Sequence, residues 1–446
     1  MNQRKIILCA ALCLLTVCSG TACGASQNIS ESVPDSTAQT TAETESAETE
    51  PAGSSEEKSA ETEKQEPVYD YIHGEEGYFS LPASGLGTPV KLQTAGTCWV
   101  VSASTAMESG ALVRHGKTIA VDALDLLGAV YYHKDQNGDR TDEGWHLADN
   151  LTAEDVGGWG WMVTEAAADG IGDILLTETN DFENCPREQL QQMIRTNGAV
   201  SISVPDRQSA KGFFGDYQTV NDPDAKPEHY DHVVTIVGWD DHFPKSYFRN
   251  AASQDGAWLI QNSLSEKYAY YWLSYDTEFL SPYSFDISED YGEVVSYDGG
   301  KENHIGTGDE TAVANVFHHP GKLTAVGTYT ITDGQKFTIE IRDAAMENVL
   351  YTQEAEYAVK GYHLTDLEIP QDVSDYSVVL RFAGDAPVEG EGFSNEFLSY
   401  QAGAEAGQSF VLLDGKWADL SLKETADALK LDFAPNNACI KAVYAK

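Results

Sequence analysis

Residues 24–66 decide where this chain can begin to fold. The segment consists mainly of Ser, Thr, Ala and Glu and contains almost no large apolar side chain. Such a sequence cannot bury enough apolar surface to offset the entropy that folding would cost. We therefore expect residues 23–66 to form a solvated acidic tether. Folding should begin at about residue 67, because large apolar residues resume at Val68 and Tyr69.

The first 22 residues have the pattern of a secretory signal peptide. Two basic residues precede the apolar stretch 6–17, which is too short to span a bilayer. The small residues before Cys23 resemble a bacterial lipobox, although Gly20 stands where leucine is usual. We predict a signal peptide at 1–22 and lipidation of Cys23, which would anchor the chain to the outside of the cell membrane. Simple secretion is the alternative.

The charge of the chain argues against one class of partner. The sequence contains 71 acidic and 28 basic residues, a formal net charge of −43. A surface of that sign repels phosphate backbones, so we expect no nucleic-acid binding. It also repels anionic lipid headgroups, so membrane contact should occur only through the N-terminal lipid.

Between residues 67 and 292 the sequence predicts helices followed by strands. Thr97 could cap a helix that runs from Cys98 to about residue 113, and a second helix is indicated at 187–195. Runs rich in β-branched and aromatic residues predict four strands, at 199–204, 233–237, 257–261 and 270–275. This order indicates an α+β fold rather than repeated βαβ units.

Residues 300–446 have a different pattern. Short β-type runs at 323–331, 336–341 and 377–382 are separated by Gly, Asp and Pro, and little helix is indicated. Spacing of this kind is typical of a β-sandwich. We predict a separate all-β domain here.

A cysteine at the predicted start of a helix is the first candidate for catalysis. Cys98 would lie at the positive end of the helix dipole, which lowers the pKa of a thiol and favours the thiolate. Backbone N–H groups of that turn could donate to a developing oxyanion, and the side chain of Gln93 could add a donor. Taken alone, however, a lone cysteine is more often an inert buried residue.

A histidine and an asparagine supply the partners that such a nucleophile needs. His232 lies just before the predicted strand 233–237, which could hold it at the rim of a cleft. His229 is a nearby competitor in a loop. Asn262 follows the predicted strand 257–261 and could orient the imidazole through a hydrogen bond. In isolation, His232 would be interpreted as a surface histidine and Asn262 as a turn former.

In combination and in this order, these segments resemble the papain family of cysteine peptidases. That family has a Gln upstream of Cys-Trp at a helix start, then a His before an apolar strand, then Trp-x-x-x-Asn-Ser. His232 follows Cys98 by 134 residues, within the expected spacing of roughly 130–150. The resemblance extends over about residues 78–280.

The resemblance implies a fold, an activity and a set of site residues. The fold would be two-lobed, with a helical lobe and a β-barrel lobe, over residues 67–292. The activity would be that of a cysteine-type endopeptidase that acts on peptide or protein substrates and needs neither a cofactor nor a metal. The residues assigned are the catalytic triad of Cys98, His232 and Asn262, the oxyanion donor Gln93, and Gly157 and Gly158, whose backbone would bind the substrate main chain.

The region after the protease segment resembles the lectin-like β domain of bacterial surface members of that family. Four short segments carry this weaker resemblance, at 314–317, 360–363, 407–410 and 439–442. It implies a lectin-like domain over 300–446 and a location at the cell surface. Contact with glycans or the cell wall would be open to such a domain, but "lectin-like" describes a fold and not sugar binding.

Two positions depart from the family pattern. Gln93 lies five residues before Cys98 instead of six, so either the loop tightens and Gln93 still reaches the site or this donor is misplaced. Leu264 stands where the family has a Trp that shields the His–Asn hydrogen bond. The alternative function is therefore a catalytically impaired surface protein that acts as an adhesin or as a carbohydrate- or cell-wall-binding scaffold.

Three further features do not indicate a functional site. The acidic stretch 135–143 has oxygen ligands at calcium-loop spacing but lacks the required Gly, which favours a solvated turn. Cys185 and Cys439 could form a disulfide, although Cys439 also fits a core position. His318 and His319 are too isolated to predict a metal site.

Overall fold

The structure is a computed structural model. It describes residues 73–446 apart from 75, 132–143, 149–150, 155, 184, 206–213, 215–217, 227–229, 250–251, 301–302 and 391–393. Four sequence predictions lie outside the described residues: the signal peptide, the lipidation of Cys23, the tether and the acidic turn at 135–143. The competitor His229 also lies outside them.

Five α-helices occur in the described residues, and the longest carries the candidate nucleophile. The helices are α1 (Cys98–His115), α2 (Ala123–Tyr131), α3 (Gly160–Ala168), α4 (Arg187–Asn197) and α5 (Lys423–Leu429). The predicted helices at 98–113 and 187–195 correspond to α1 and α4. The short helices α2 and α3 were not predicted, and α5 lies in the region where little helix was expected.

The strands make up most of the rest of the described chain. In the first half they are β1 (Tyr78–Ser80), β2 (Gly144–Leu147), β3 (Leu175–Asp181), β4 (Val200–Pro205), β5 (Thr219–Val220), β6 (Tyr230–Asp240), β7 (Ala257–Gln261), β8 (Tyr270–Ser274), β9 (Leu280–Ser288) and β10 (Val294–Val295). All four strands predicted in this half are present, as β4, β6, β7 and β8.

The second half contains longer strands. They are β11 (Asn303–Ile305), β12 (Glu310–Thr330), β13 (Gln335–Asp343), β14 (Val349–Tyr357), β15 (Gly361–Ala383), β16 (Ala386–Gly390), β17 (Leu398–Gln401), β18 (Ser409–Leu413), β19 (Lys416–Asp419), β20 (Pro435–Ala438) and β21 (Lys441–Tyr444). The predicted strands at 323–331 and 377–382 are parts of β12 and β15, and 336–341 lies within β13.

An antiparallel arrangement of strands supports the first half. β6 pairs with β1, β4 and β7, β7 pairs with β8, and β9 pairs with β3 and β4. Apolar residues of these strands, such as Ile202, Val234 and Ile260, form one core together with Leu190 and Ile194 of α4. Helix α1 packs against β6 and β9, and it is buried from Cys98 to Ala111. The predicted helical and β parts are therefore joined along α1.

The second half is built around two long antiparallel strands. β12 and β15 pair over most of their lengths, and β13, β18 and β21 extend this sheet. A smaller sheet contains β11, β16 and β20. The apolar residues between these layers form a core of their own, which includes Phe317, Phe337 and Tyr376. This arrangement is the layered all-β architecture that the sequence predicted.

The two halves pack against each other. β15 pairs with β3 at His363 and Glu178, and β17 pairs with β2 along four residues. A shared apolar core contains Trp99 and Trp145 from the first half and Tyr400 from the second. The sequence did not predict these contacts, because they join residues that lie far apart along the chain.

Candidate active site

Cys98 is the first residue of α1 and is only 4% exposed. Thr97 occupies the N-cap position, but the prediction that its side chain caps the helix is wrong. Its hydroxyl instead donates to the Thr94 carbonyl at 2.7 Å and accepts from the Thr94 amide at 3.1 Å. The first turn also contains no acidic residue. The positive end of the helix dipole is thus not offset at the thiol, which favours the thiolate form.

Hydrogen bonds one turn after Cys98 hold the helix against the strand that carries His232. The Ser102 hydroxyl donates to the Val234 carbonyl at 2.8 Å and lies 2.9 Å from the Thr235 hydroxyl. Ser102 is four residues after Cys98, so the two residues share a helix face. Val234 is two residues after His232 on β6. The start of α1 and the start of β6 are therefore held at the same end of the molecule.

The orientation of Asn262 is determined by its own backbone neighbour. The Ser263 amide donates to Asn262 Oδ1 at 2.8 Å, and a backbone N–H can only donate, so the atom it faces must be the amide oxygen. His232 Nε2 lies 2.8 Å from that same oxygen. Nε2 must therefore carry a hydrogen and donate, because the oxygen can only accept. In the neutral imidazole, Nδ1 is then the nitrogen that can accept a proton.

The imidazole and the amide are shielded from solvent without the family's Trp. His232 and Asn262 are each only 3% exposed. Leu264, which replaces the Trp, is half-buried. The burial of the His–Asn pair gives their hydrogen bond a low-dielectric environment, in which such a bond is stronger than in water.

Gln93 lies in a loop that contains a left-handed turn. Ala95 adopts this conformation with φ of 49°, which is uncommon for a residue other than glycine. The Gln93 amide N–H donates to the Ser263 carbonyl at 2.9 Å, and Gln93 Oε1 accepts from the Ser263 hydroxyl at 2.8 Å. Gln93 Nε2 donates to the Ala95 carbonyl at 2.8 Å, so one of its two hydrogens is used within the loop.

Sequence reasoning missed the anchor of this loop. Lys91 Nζ donates to Glu108 Oε1 at 2.7 Å, to the Val121 carbonyl at 2.7 Å and to the Ser104 hydroxyl at 3.0 Å. Glu108 and Ser104 lie on α1, so Lys91 ties the loop that carries Gln93 to the helix that carries Cys98. No local pattern identifies a lysine whose partners lie 13 to 30 residues away.

The glycine pair lies beside the nucleophile. A Cβ at Gly158 would be 2.7 Å from the indole of Trp99, the residue after Cys98. The Gly157 carbonyl accepts from the Tyr131 hydroxyl at 3.1 Å. A side chain at position 158 is therefore excluded by packing, whereas a Cβ at 157 would meet nothing within 4 Å. The fold thus brings the predicted substrate-binding glycines to the helix start.

The other candidates have structural partners. Cys185 and Cys439 are free thiols, so the suggested disulfide is not formed, and Cys439 is buried in the core as its sequence context indicated. His318 pairs with Asp375, and His319 pairs with Glu293. Within the described ranges, no group of three His, Cys, Asp or Glu residues could hold a metal ion. No helix among the described residues is long and apolar enough to cross a membrane.

Two protein families match this chain. The family described as papain family cysteine protease matches residues 82–272, and the family described as lectin like domain matches residues 296–444. Among curated proteins, rat procathepsin L is 22% identical over 192 residues, which cover 41% of this chain and 55% of the relative. Rat cathepsin S is 23% identical over 193 residues, covering 40% and 53%. The chain thus spans just over half the length of the curated relatives it matches.

Two solved structures share the architecture of both halves. The clostridial cysteine protease Cwp84 after propeptide cleavage superposes with a TM-score of 0.66 at 18% identity, covering 82% of this chain and 98% of that one. The cysteine protease and lectin-like domains of Cwp84, described as a surface layer associated protein of Clostridium difficile, give 0.66 at 17%, covering 83% and 88%.

At these identities the likeness shows the fold, and it confirms the prediction of an α+β papain-like part followed by an all-β part. The His–Asn geometry and the matching families lead to one conclusion. Residues 82–272 of this chain match the papain family of cysteine proteases, and residues 296–444 match the family of lectin-like domains.

Proposed function

We propose that this protein is a cysteine-type endopeptidase with Cys98 as nucleophile and His232 as general base. The observation that carries the proposal is the buried hydrogen bond from His232 Nε2 to Asn262 Oδ1. Since the Ser263 amide fixes the orientation of Asn262, the imidazole is held with Nδ1 as its proton acceptor. An imidazole exposed on the surface would not be held in one orientation by such a buried hydrogen bond.

The residues account for each proton and bond of peptide hydrolysis. The Cys98 thiol gives its proton to His232 Nδ1, and the thiolate attacks the carbonyl carbon of the substrate. His232 returns the proton to the leaving nitrogen as the C–N bond breaks, which leaves a thioester on Cys98. A water molecule then attacks the thioester while His232 takes its proton. The acid product leaves, and the thiol is restored.

Stabilisation of the oxyanion would rest on the helix start and on Gln93. Backbone N–H groups in the first turn of a helix point out of its start, and we assign the Cys98 N–H as one donor to the oxyanion. Gln93 Nε2 has a second hydrogen beyond the one bonded to Ala95. Gly157 and Gly158 would bind the substrate main chain beside this site. Loss of one oxyanion donor typically costs about 10²–10³ in rate, so a partly engaged Gln93 predicts a slow enzyme.

We also propose that the protein acts at the bacterial cell surface on peptide or protein substrates. A lipid on Cys23 and the tether of residues 23–66 would hold the folded part outside the membrane. Cwp84 is described as a surface layer associated protein, which supports this location. The lectin-like domain would then face the cell wall or glycans.

A second function is favoured by one observation. The Gln93 side chain is hydrogen-bonded to the Ala95 carbonyl in its own loop and to the Ser263 hydroxyl after β7, which would weaken an oxyanion site. The chain could then serve as an adhesin or binding scaffold with little catalytic activity. The two functions differ in whether Cys98 is an activated thiolate.

The test is the intact mass of the full-length chain after incubation with a peptidyl epoxide that alkylates activated thiolates. We expect one adduct, mapped to Cys98, that is lost in Cys98→Ala and strongly slowed in His232→Ala. Cys185→Ala is the matched control. Burial, followed by the nearby Asp333 carboxylate, raises the pKa of the Cys185 thiol, so this variant should react like the wild type.

The results separate the two functions. A His232-dependent adduct on Cys98, together with cleavage of a casein substrate that disappears in Cys98→Ala, would support the endopeptidase. A folded, reduced protein that forms no adduct would support the binding scaffold instead. Alkylation of Cys98 at equal rates in the wild type and His232→Ala would remove His232 from the proposed mechanism.

A further inference from the structure

The lectin-like domain supplies a strand to the protease domain next to the glycine pair. β17 and β2 pair antiparallel, with Leu398 opposite Leu147 and Tyr400 opposite Trp145. The Ala148 amide also donates to the Phe397 carbonyl at 2.9 Å. β2 is thus paired by a strand that lies more than 250 residues further along the chain.

Aromatic contacts lead from this strand pair to the glycines. The Tyr400 and Trp145 ring centroids are 5.1 Å apart at an interplanar angle of 62°. Trp145 contacts Trp161 at 5.4 Å and 62°, and Trp161 stacks on Trp159 at 5.9 Å and 12°. Trp159 directly follows Gly158 in the chain. The ring positions therefore constrain the backbone at the start of α3.

Tyr400 is itself fixed from within the lectin-like domain. Its hydroxyl donates to Glu389 Oε1 at 2.6 Å, and Glu389 also accepts from the Gly299 amide at 2.7 Å and from Asn437 Nδ2 at 2.8 Å. Tyr400 is 4% exposed and Glu389 is 1% exposed. This buried set of hydrogen bonds holds the ring in one position, because a displaced hydroxyl would leave a buried acceptor unsatisfied.

The glycine pair also contacts residues of the protease domain. Gly158 lies against the Trp99 ring, and the Gly157 carbonyl bonds to the Tyr131 hydroxyl. Trp99 and Tyr131 are in edge contact, with ring centroids 6.0 Å apart. The glycine backbone is therefore held between two supports, and the lectin-like domain provides one of them.

We propose that Tyr400 is a positioning residue for substrate binding, which makes the lectin-like domain a support of the peptide cleft. By fixing Trp145, and through it Trp161 and Trp159, Tyr400 holds the Gly157–Gly158 backbone where it can bond the substrate main chain. This inference rests on the proposed function. It assigns no role to Tyr400 in activating Cys98, since none of these rings lies on β6 or β7.

The variant Tyr400→Leu removes the ring that contacts Trp145 and keeps an apolar side chain. We expect KM for a peptide substrate to rise about 3- to 10-fold, the factor that corresponds to one backbone hydrogen bond. The variant Tyr400→Phe retains the ring and loses the bond to Glu389, so most of the affinity should return. Alkylation of Cys98 by iodoacetamide, which needs no peptide cleft, should keep its rate and its pH profile in both variants.

The matched control is Tyr376→Leu. Tyr376 is also a buried tyrosine with a stacked neighbour and a hydrogen-bonded hydroxyl, but it lies in the core that belongs only to the lectin-like domain. Its loss should lower the melting temperature at least as much as Tyr400→Leu and leave KM unchanged. The comparison separates positioning of the cleft from general destabilisation. All variants are measured in the full-length chain at a temperature where each remains folded.

The expected result is a raised KM in Tyr400→Leu alone, with alkylation unchanged and rescue by Tyr400→Phe. An unchanged KM would overturn the inference, as would a parallel fall in the alkylation rate or an equal rise of KM in Tyr376→Leu. Failure of the proposed function is distinct. In that case the wild type itself shows no His232-dependent alkylation of Cys98, and the inference falls with it.

Discussion

Replacement of Lys441 by Met tests the buried charges that join the two domains. Lys441 lies on the last strand and is fully buried, and its Nζ is 2.7 Å from both Asp169 Oδ1 and Asp298 Oδ2. Asp169 caps the C-terminal end of α3 in the protease domain. Burial alone would lower the pKa of the Lys441 ammonium, but the carboxylates of Asp169 and Asp298 outweigh it and hold this pKa above its ordinary value.

The expected loss in the free energy of unfolding follows from the buried carboxylate that the substitution leaves unpaired. Asp298 has a side chain only 1% exposed, so without the ammonium its carboxylate is a buried charge with no counterion. Breaking a buried pair in this way costs about 3–5 kcal/mol of the free energy of unfolding. The loss should shrink as the pH falls. Burial already raises the pKa of the Asp298 carboxyl in the folded protein, and the variant raises it further. The penalty therefore disappears when the pH falls below about 3.9, the pKa of an Asp side chain in the unfolded chain.

The assay is urea unfolding followed by tryptophan fluorescence at pH 7 and pH 5. The double variant Lys441→Met with Asp298→Asn should recover part of the loss, because it removes the unpaired charge. Lys423→Met is the control, since Lys423 and Asp427 form a pair that is 81% and 66% exposed, and its stability should match the wild type. A loss at Lys441 no larger than at Lys423, or one independent of pH, would refute the reasoning.

Three further predictions concern the imidazole proposed as general base, a buried histidine and the glycine pair. Asn262→Ala removes the hydrogen bond to the imidazole and should lower kcat/KM by about 10- to 100-fold in steady-state assays, and an unchanged value would exclude Asn262 from catalysis. Burial lowers the pKa of His363 to about 4, so its folded form resists protonation and stability should fall by up to about 3 kcal/mol between pH 6.5 and 4. Urea titrations of His363→Gln should show a flatter pH profile, and an identical profile would contradict this. Gly158→Ala should cost about 1–3 kcal/mol and most of the activity, because its Cβ would overlap the indole of the residue after the nucleophile. Gly157→Ala, whose Cβ has open space, should keep its melting temperature, and equal losses at both positions would contradict the packing argument.

Much of the secondary structure around the candidate site could be predicted, because it depends on local sequence patterns. The helix that begins at Cys98 and the strand at 257–261 follow from periodicity and β-propensity over a few residues. Order and spacing then indicated His232 and Asn262 as candidate partners of Cys98. Local patterns did not predict the hydrogen bonding of the helix cap. Thr97 is of a residue type that often caps helices, yet its hydroxyl bonds to Thr94. The shortest helices, such as α5, have too few residues for a periodic pattern to distinguish them from turns.

By itself, the sequence determined that the first half mixes helices and strands and that the second half consists mostly of strands, and it supplied the candidate site residues. Only the tertiary structure decided how Gln93 bonds within its loop, that Lys91 anchors that loop, and that Tyr400 of the lectin-like domain packs on Trp145. The physical reason is the distance along the chain over which each kind of interaction acts. Periodicity and capping act over a few neighbouring residues, whereas these contacts join residues whose separation along the chain leaves no local trace, and their geometry depends on how whole elements pack.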